Sequence, residues 1–270
     1  MTLILALASR HRVLLVSDRQ LTDIDPVTKE HTPHPNPATK SVMFENRAIF
    51  GYTGYSILEG LSADLWIAET ISQVHDGNIM RALALICDGL NRSFRPFRPS
   101  DDICYHAVLA SGFRPLADGS WQAFNASIAN ARIGQRPSRT FTVEVYDVPP
   151  GRMALTQEPI LIKDEAFTTL NRDLGRGGER GVTFTGGTEM LVGAIRTVAK
   201  KHAEVGVDLI AASIPVPSSV RLGESYIGLG EPDNAGGSFE YLSPGQVKTH
   251  FLPTLVMNGM ITHGAIEEHS

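Results

Sequence analysis

Hydrophobic residues start almost at the first position of the chain and form two short runs around a polar turn. Residues 3–8 and 13–16 are apolar, and the polar "SRHR" lies between them, a pattern that predicts a hairpin of two buried strands. The segments "KSVMF" and "AIFGYTG" flank "ENR" and predict a second hairpin. Residues 23–39 contain four prolines and predict an exposed loop between the two hairpins.

Apolar residues then recur at helical spacing and predict helices over about 56–75 and 79–94. The segments "YHAVLASGF", "WQAFNASIAN" and "TFTVEVYDV" predict three strands. Further along, a short strand and a glycine turn in "GVTFTGG" precede a predicted helix over about 188–203 and another strand. Edge strands and a C-terminal extension are expected over about 215–270. Runs of strands and of helices indicate an α+β fold, with residues 1–270 as one domain.

Composition excludes several classes of protein. The 270 residues are 42% hydrophobic and 20% charged, and the net charge of −5 without long charge runs argues against nucleic acid as a partner. No segment is long enough to predict a signal peptide or a membrane span. Cys87 and Cys104 lack metal or redox spacing and predict buried free thiols, which favours a reducing, cytoplasmic location.

Neither a metal nor a cofactor is predicted. His31 and His34 lie in the proline-rich loop without a third ligand nearby, which favours solvated side chains. The glycines of "LGRGGERGVTFTGG" fit neither phosphate-binding pattern, GxGxxG after a strand or GxxxxGK[ST].

Thr2 is the candidate nucleophile. Removal of Met1, which a small neighbouring residue permits, would give Thr2 a free α-amino group beside its hydroxyl. A hydroxyl needs a base to become nucleophilic, and an α-amine with a pKa of about 7.7–8.0 can be that base. The anchored first strand predicts that such a terminus is held rigidly.

Three further residues complete the predicted site. Asp18 ends the second strand of the first hairpin and can fold back towards Thr2. Lys40 opens the next strand, where its ammonium group would lower the pKa of the hydroxyl while the carboxylate keeps the lysine charged. Gly51 offers an unobstructed backbone N–H to stabilise an oxyanion.

These residues resemble the proteasome β subunits and their bacterial two-ring relatives, which are N-terminal-nucleophile hydrolases. In that family a mature N-terminal threonine precedes an aspartate by sixteen positions, and the distance from Thr2 to Asp18 is also sixteen. A lysine then opens a hairpin that leads to "AGxxG", as Lys40 does here, with Gly51 and Gly54 at the glycine positions. The segment "VSDRQLT" is similar to that of the bacterial two-ring enzyme, and the match covers residues 2–60.

The resemblance implies a four-layer αββα sandwich and adds one candidate to the site. A serine in a "GSG"-like turn before the third helix is usual in the family, so Thr185 in "FTGGTEM" would take its place, with Gly186 as the turn residue. The family's second aspartate and serine have no assigned counterpart. The strand that follows them matches "GVDLIAASI" better than "EPDNAGGSF", which contains Asp233.

The predicted function is hydrolysis of a peptide or amide bond through an acyl-enzyme ester at Thr2. The substrate would be a peptide or a small amide. Two alternatives stay open: a catalytically inactive proteasome-like scaffold subunit, and a small-molecule amidase of the same superfamily. The resemblance also implies a homo-oligomer, with a ring as one form, while the sequence does not show whether an ATP-dependent unfoldase is a partner.

Overall fold

The structure is a computed structural model of the chain. It describes residues 2–24, 31–34, 38–98, 103–159, 162, 164–177, 184–217, 227–229, 237–242, 249–251, 254–262 and 265–267. Within these ranges, every helix is too short or too polar to cross a membrane.

Strands hold more of the described residues than helices do, and the described chain is α+β as the sequence predicts. In chain order they are β1 (Ile4–Ser9), β2 (Arg12–Asp18), β3 (Thr22–Ile24), β4 (His31–Pro33), β5 (Ser41–Phe44), β6 (Ala48–Thr53), β7 (Ile57–Leu58), β8 (Leu61–Ser62), β9 (Ala107–Pro115), β10 (Trp121–Ala129), β11 (Thr142–Asp147), β12 (Met153–Glu158), β13 (Leu209–Pro215), β14 (Ile227–Leu229), β15 (Gly237–Leu242), β16 (Thr249–Phe251), β17 (Thr254–Met257), β18 (Met260–Thr262) and β19 (Ala265–Glu267). The helices are α1 (Ala63–Ser72), α2 (Ile79–Ser93), α3 (Glu165–Gly177) and α4 (Phe184–Ala199).

Two large sheets carry the fold. The first has six strands in the order β12-β1-β2-β13-β15-β14, and the second has seven in the order β11-β10-β9-β6-β5-β17-β18. The predicted hairpins β1–β2 and β5–β6 are both present, one in each sheet. The N-terminal strand β1 is therefore internal, paired with β2 on one side and with β12 on the other.

Three buried clusters separate these elements into layers. Residues of α1 and α2 pack on one face of the seven-stranded sheet. Residues of α3 and α4 pack on one face of the six-stranded sheet. A third cluster lies between the two sheets. It includes Ile4 and Leu15 from the six-stranded sheet and Met43 and Leu109 from the seven-stranded sheet. Strand β1 is buried on both faces, which explains its unbroken run of apolar residues.

The first helix begins later than its hydrophobic pattern predicts. Residues 57–62 form the small hairpin β7–β8, and α1 starts at Ala63. Glu59 and Gly60, with φ of 50° and 86°, form its two-residue turn, which favours glycine and reverses the chain before a helix can start. The second helix has the predicted bounds to within one residue, and the side chain of Asn78 caps it by accepting from Arg81 N at 3.1 Å.

Other elements differ from expectation in the second half of the chain. Helix α4 begins at Phe184 and ends at Ala199, four residues before the predicted bounds at each end, and the helix α3 was not predicted. The C-terminal part contributes to both large sheets, because β15 pairs with β13 and β17 pairs with β5. The expected exposed loop contains the short hairpin β3–β4, and residues 25–30 and 35–37 lie outside the described ranges. Both cysteines are free, but Cys104 is exposed, so its predicted burial is wrong.

Candidate active site

Thr2 lies two residues before the start of β1 and is buried, with 6% of its surface exposed. The hydroxyl of Thr53, at the end of β6, donates to the carbonyl oxygen of Thr2 at 2.8 Å. The start of the six-stranded sheet is thus tied to a strand end of the seven-stranded sheet. This contact places Thr2 at one end of the space between the sheets.

Lys40 directly precedes β5 and brings its ammonium group to the same place. Its side chain is 1% exposed, and Nζ donates to Thr2 Oγ1, to the carbonyl oxygen of Gln20, and to Asp18 Oδ1 at 3.1 Å. An ammonium group has three N–H donors, and these three acceptors use all of them. The position of Nζ against the Thr2 hydroxyl is therefore fully determined by its partners.

Asp18 is the last residue of β2 and is fully buried. Its Oδ2 accepts from the backbone N–H of Leu3 at 2.6 Å, and its Oδ1 accepts from Gln20 N at 3.1 Å as well as from Lys40. The carboxylate thus holds both the lysine and the backbone of the residue after Thr2. Its contacts follow from the hairpin, which places the end of β2 beside the start of β1.

Burial dominates the electrostatics of this pair. It lowers the pKa of Lys40, while the charge of Asp18 and its hydrogen bond act in the opposite direction. Burial likewise raises the pKa of Asp18, opposed by Lys40 and by the N–H of Leu3. The charge of each partner is the largest influence that opposes the effect of burial on the pKa of the other. A cation held in this way next to a hydroxyl stabilises the alkoxide that forms when the hydroxyl loses its proton.

Gly51 does not lie where the sequence prediction needs it. It is inside β6 and pairs with Ser41 of β5 on one side and Leu109 of β9 on the other, so its N–H belongs to the sheet ladder. A Cβ added at this glycine would come within 3.2 Å of Ile4, between the sheets. The predicted oxyanion role of Gly51 is therefore not compatible with its position.

Gly54, three residues later, is the first residue beyond β6. It is exposed, has φ of 108°, and follows Thr53, whose hydroxyl contacts Thr2. An added Cβ would come within 2.5 Å of the Tyr105 carbonyl and 2.7 Å of His106 Nδ1, so only glycine fits there. The sequence shows both glycines, but it does not show where the strand ends.

His106 supports the loop that follows Gly54. Its ring is completely buried, and Nδ1 accepts from the backbone N–H of Tyr55 at 3.1 Å. Burial lowers the pKa of His106 to about 3, so the ring is neutral at neutral pH and Nδ1 is an acceptor. Within the described residues Nε2 has no hydrogen-bond partner, and the ring packs against Phe94 and Phe141. Nothing in the sequence distinguishes this histidine from the others.

Thr185 lies in the first turn of α4 and not in a turn before it, and Gly186 is helical too. That local prediction is wrong, because the segment "FTGG" starts the helix. Nothing about the Thr185 side chain is described, so its role in the site stays a prediction. Asp233 and Met1 lie outside the described residues. Among the residues that are described, no three histidine, cysteine or acidic side chains cluster as metal ligands would.

The chain resembles solved structures at low sequence identity. The chain matches no protein-family model and no curated protein sequence. One similar solved structure is Anbu (ancestral beta-subunit) from Yersinia bercovieri, with 10% identity, a TM-score of 0.45, and coverage of 80% of this chain and 82% of that one. Another is an Anbu (Gly-1) mutant from Hyphomicrobium sp. strain MC1, with 8% identity, a TM-score of 0.43, and coverage of 78% and 82%. Likeness at this level assigns no residue roles, which rest on the geometry of this chain alone.

Proposed function

We propose that this chain is an N-terminal threonine hydrolase that cleaves peptide or amide bonds through an acyl ester on Thr2. The observation that carries the proposal is the hydrogen bond from Lys40 Nζ to Thr2 Oγ1 within a buried Lys40–Asp18 ion pair at the head of β1. A solvated surface threonine would have no such cation held against its hydroxyl.

The proposed reaction starts with removal of Met1, which frees the Thr2 α-amine. The amine takes the hydroxyl proton through a water molecule, Oγ forms a bond to the substrate carbonyl carbon, and the carbonyl electrons move onto oxygen. Collapse of this intermediate breaks the C–N bond, and the leaving amine takes the proton. Water then hydrolyses the ester by the same steps and restores the hydroxyl. The charge of Lys40 stabilises Oγ while it is ionised.

In this mechanism we assign the oxyanion donor to the Gly54 N–H. Gly54 lies at the end of β6 next to the residue that contacts Thr2, and it is exposed to an incoming substrate. Losing one such donor typically costs about 10²–10³-fold in kcat. The support by His106 would keep the Gly54–Tyr55 peptide in place during the reaction.

The layer arrangement fits the same proposal. The packing of two helices, two sheets and two helices through three buried clusters supports a four-layer αββα sandwich as part of the proposal. A homo-oligomer in the cytoplasm is part of the proposal, with a ring as one arrangement. Met260 and Ile261, exposed on β18 at the edge of the seven-stranded sheet, offer apolar surface that assembly would cover. Sedimentation velocity of the purified protein tests the oligomer directly.

The test of function has two measurements on one sample. Intact mass shows whether Met1 is absent, and labelling with an electrophile that reacts with N-terminal threonine, followed by peptide mapping, shows which residue reacts. We expect loss of Met1 and label on Thr2 in the wild type, and no label in Thr2→Ala. A retained Met1, or equal labelling of both proteins, would contradict the proposal and favour a catalytically inactive scaffold.

A further inference from the structure

A cavity of about 270 Å³ lies between the outer strands of the two sheets. Strand β12 is an edge strand of the six-stranded sheet, and β11 is an edge strand of the seven-stranded sheet. Residues of β10, the neighbour of β11, also line the cavity. The polar residues that line the cavity are Ser127, Arg132, Thr142, Glu144, Tyr146, Thr156 and Glu158. None of them belongs to the site built around Thr2.

The cavity lies next to that site. Glu158 is the cross-strand partner of Ile4, two residues after Thr2. Ile4 points between the sheets, and Glu158 does too, because its carboxylate meets side chains of the other sheet. Thr2 precedes Ile4 by two residues, so it is at the diagonal position to Glu158 across the two strands. Diagonal neighbours on one face of a sheet lie about 7–8 Å apart. That separation is the length of a substrate side chain, so a group bonded near the Thr2 hydroxyl can reach the cavity.

The inner wall of the cavity carries a buried carboxylate. Glu158 is 1% exposed, its Oε2 accepts from the hydroxyl of Tyr105, and its Oε1 accepts from the hydroxyl of Ser127. Burial of the whole group shows that it is placed by the fold and is not a solvated surface charge.

The outer wall adds a second carboxylate. Glu144 accepts from the Tyr146 hydroxyl and forms an ion pair with Arg132 at 2.8 Å. The hydrogen bond to Glu144 comes first among the causes that raise the pKa of Tyr146, and the charges of Glu144 and Glu158 act in the same direction. Among the described residues that line the cavity, two carboxyl groups stand against one guanidinium. The complementary ligand is a cation.

From this lining we propose that the cavity is a substrate subsite that accepts a cationic side chain, a guanidinium or a primary ammonium, with Glu158 as the residue that determines specificity. The inference rests on the proposed function, because the cavity selects substrates only if Thr2 reacts. A volume of about 270 Å³ suits one long side chain rather than a folded ligand.

Two matched peptide epoxyketones test the subsite. An epoxyketone reacts with N-terminal threonine by addition of the hydroxyl to the ketone and opening of the epoxide by the amine, so the adduct has the full mass of the probe. One probe of each pair carries arginine, and the other carries citrulline, which has the same shape without the charge. The pair is made twice, with this residue at the first or at the second position from the ketone. Rates of Thr2 labelling are measured for the wild type, Glu158→Gln and Glu69→Gln, the last an exposed change on α1.

We expect the arginine probe to label wild type about 10- to 100-fold faster than the citrulline probe at one of the positions, the size of a charge-assisted hydrogen bond. Glu158→Gln should bring this ratio close to one without slowing the citrulline probe, and Glu69→Gln should leave the ratio unchanged. Equal rates for both probes in wild type would overturn the subsite while Thr2 chemistry stands. Equal slowing of both probes in Glu158→Gln would show that Glu158 has a structural role and would overturn its role in specificity. No labelling of Thr2 by any probe would refute the function itself, and the subsite with it.

Discussion

Two ion pairs of the same length start from consecutive residues at the end of β2. Asp18 pairs with Lys40 at 3.1 Å, and Arg19 pairs with Asp208 at 3.1 Å. The first pair is buried on both sides and its cation contacts the Thr2 hydroxyl, whereas in the second Asp208 is 24% exposed and the contact joins β2 to the start of β13. The comparison separates two uses of buried charge: the cation of one pair contacts the hydroxyl of the proposed nucleophile, and the other pair connects strands.

The largest effect is expected at the hydroxyl itself. Thr2→Ala should lower turnover by at least about 10⁴-fold, because it removes the nucleophile and leaves only binding and oxyanion stabilisation. Thr2→Ser keeps a hydroxyl on the first residue and should keep measurable activity. The measurement is kcat/KM on a fluorogenic peptide. Loss of activity in both variants alike would show that the hydroxyl is not what Thr2 supplies.

The two aspartates form a matched pair of substitutions. Asp18→Asn leaves Lys40 buried without its counter-ion and should lower the free energy of unfolding by about 3–5 kcal/mol, with loss of Thr2 labelling. Asp208→Asn changes a partly exposed partner and should cost about 1–2 kcal/mol with labelling unchanged. Urea unfolding and labelling rates check both effects. Equal loss of labelling in the two variants would remove the distinction between the pairs.

The glycine after β6 extends the test to the other sheet. In Gly54→Ala the new methyl group would meet the Tyr105 carbonyl and displace the loop, so turnover should fall by about 10²-fold if Gly54 supplies an oxyanion donor. Gly60→Ala is the control, since Gly60 also has positive φ but nothing lies within 4 Å of its added Cβ. It should lose only stability, about 1 kcal/mol. Similar kinetics for the two variants would exclude Gly54 from the site.

The smallest effect concerns His106 and stability in acid. Because its folded-state pKa is about 3 and the unfolded value is 6.5, the unfolded chain binds a proton below pH 6.5 that the folded chain refuses. Stability should therefore fall as the pH is lowered, by about 2 kcal/mol from this group between pH 6.5 and 5. In His106→Gln this part of the pH dependence should be absent. An unchanged pH dependence would show that His106 is not held neutral.

The sequence predicts that the residues of the N-terminal half of the candidate site lie close together, because they are at the ends of adjacent hairpin strands. Spacing along β1, β2 and β5 is enough to bring Thr2, Asp18 and Lys40 together, as the structure has them. The choice between Gly51 and Gly54 depended on where β6 ends, which apolar patterning does not show.

Long-range contacts account for what the sequence did not show. Glu158 reaches Tyr105 and Ser127 only because β12 pairs with β1, and this pairing joins residues more than 140 positions apart. Helix α3 was missed because its sequence, "EAFTTLNRDLGRG", has few apolar residues, and those few are buried by contacts with strands distant in the chain.

The most direct measurement is to trap the acyl group during turnover. A slowly hydrolysed ester or amide substrate is mixed with the enzyme, the reaction is stopped in acid, and the peptides are mapped by mass spectrometry with and without hydroxylamine. We predict an acyl group on the peptide that begins with Thr2, released by hydroxylamine as an ester and absent from Thr2→Ala. Turnover with no acyl group on that peptide, or an acyl group that persists in Thr2→Ala, would contradict the role of Thr2 as the nucleophile.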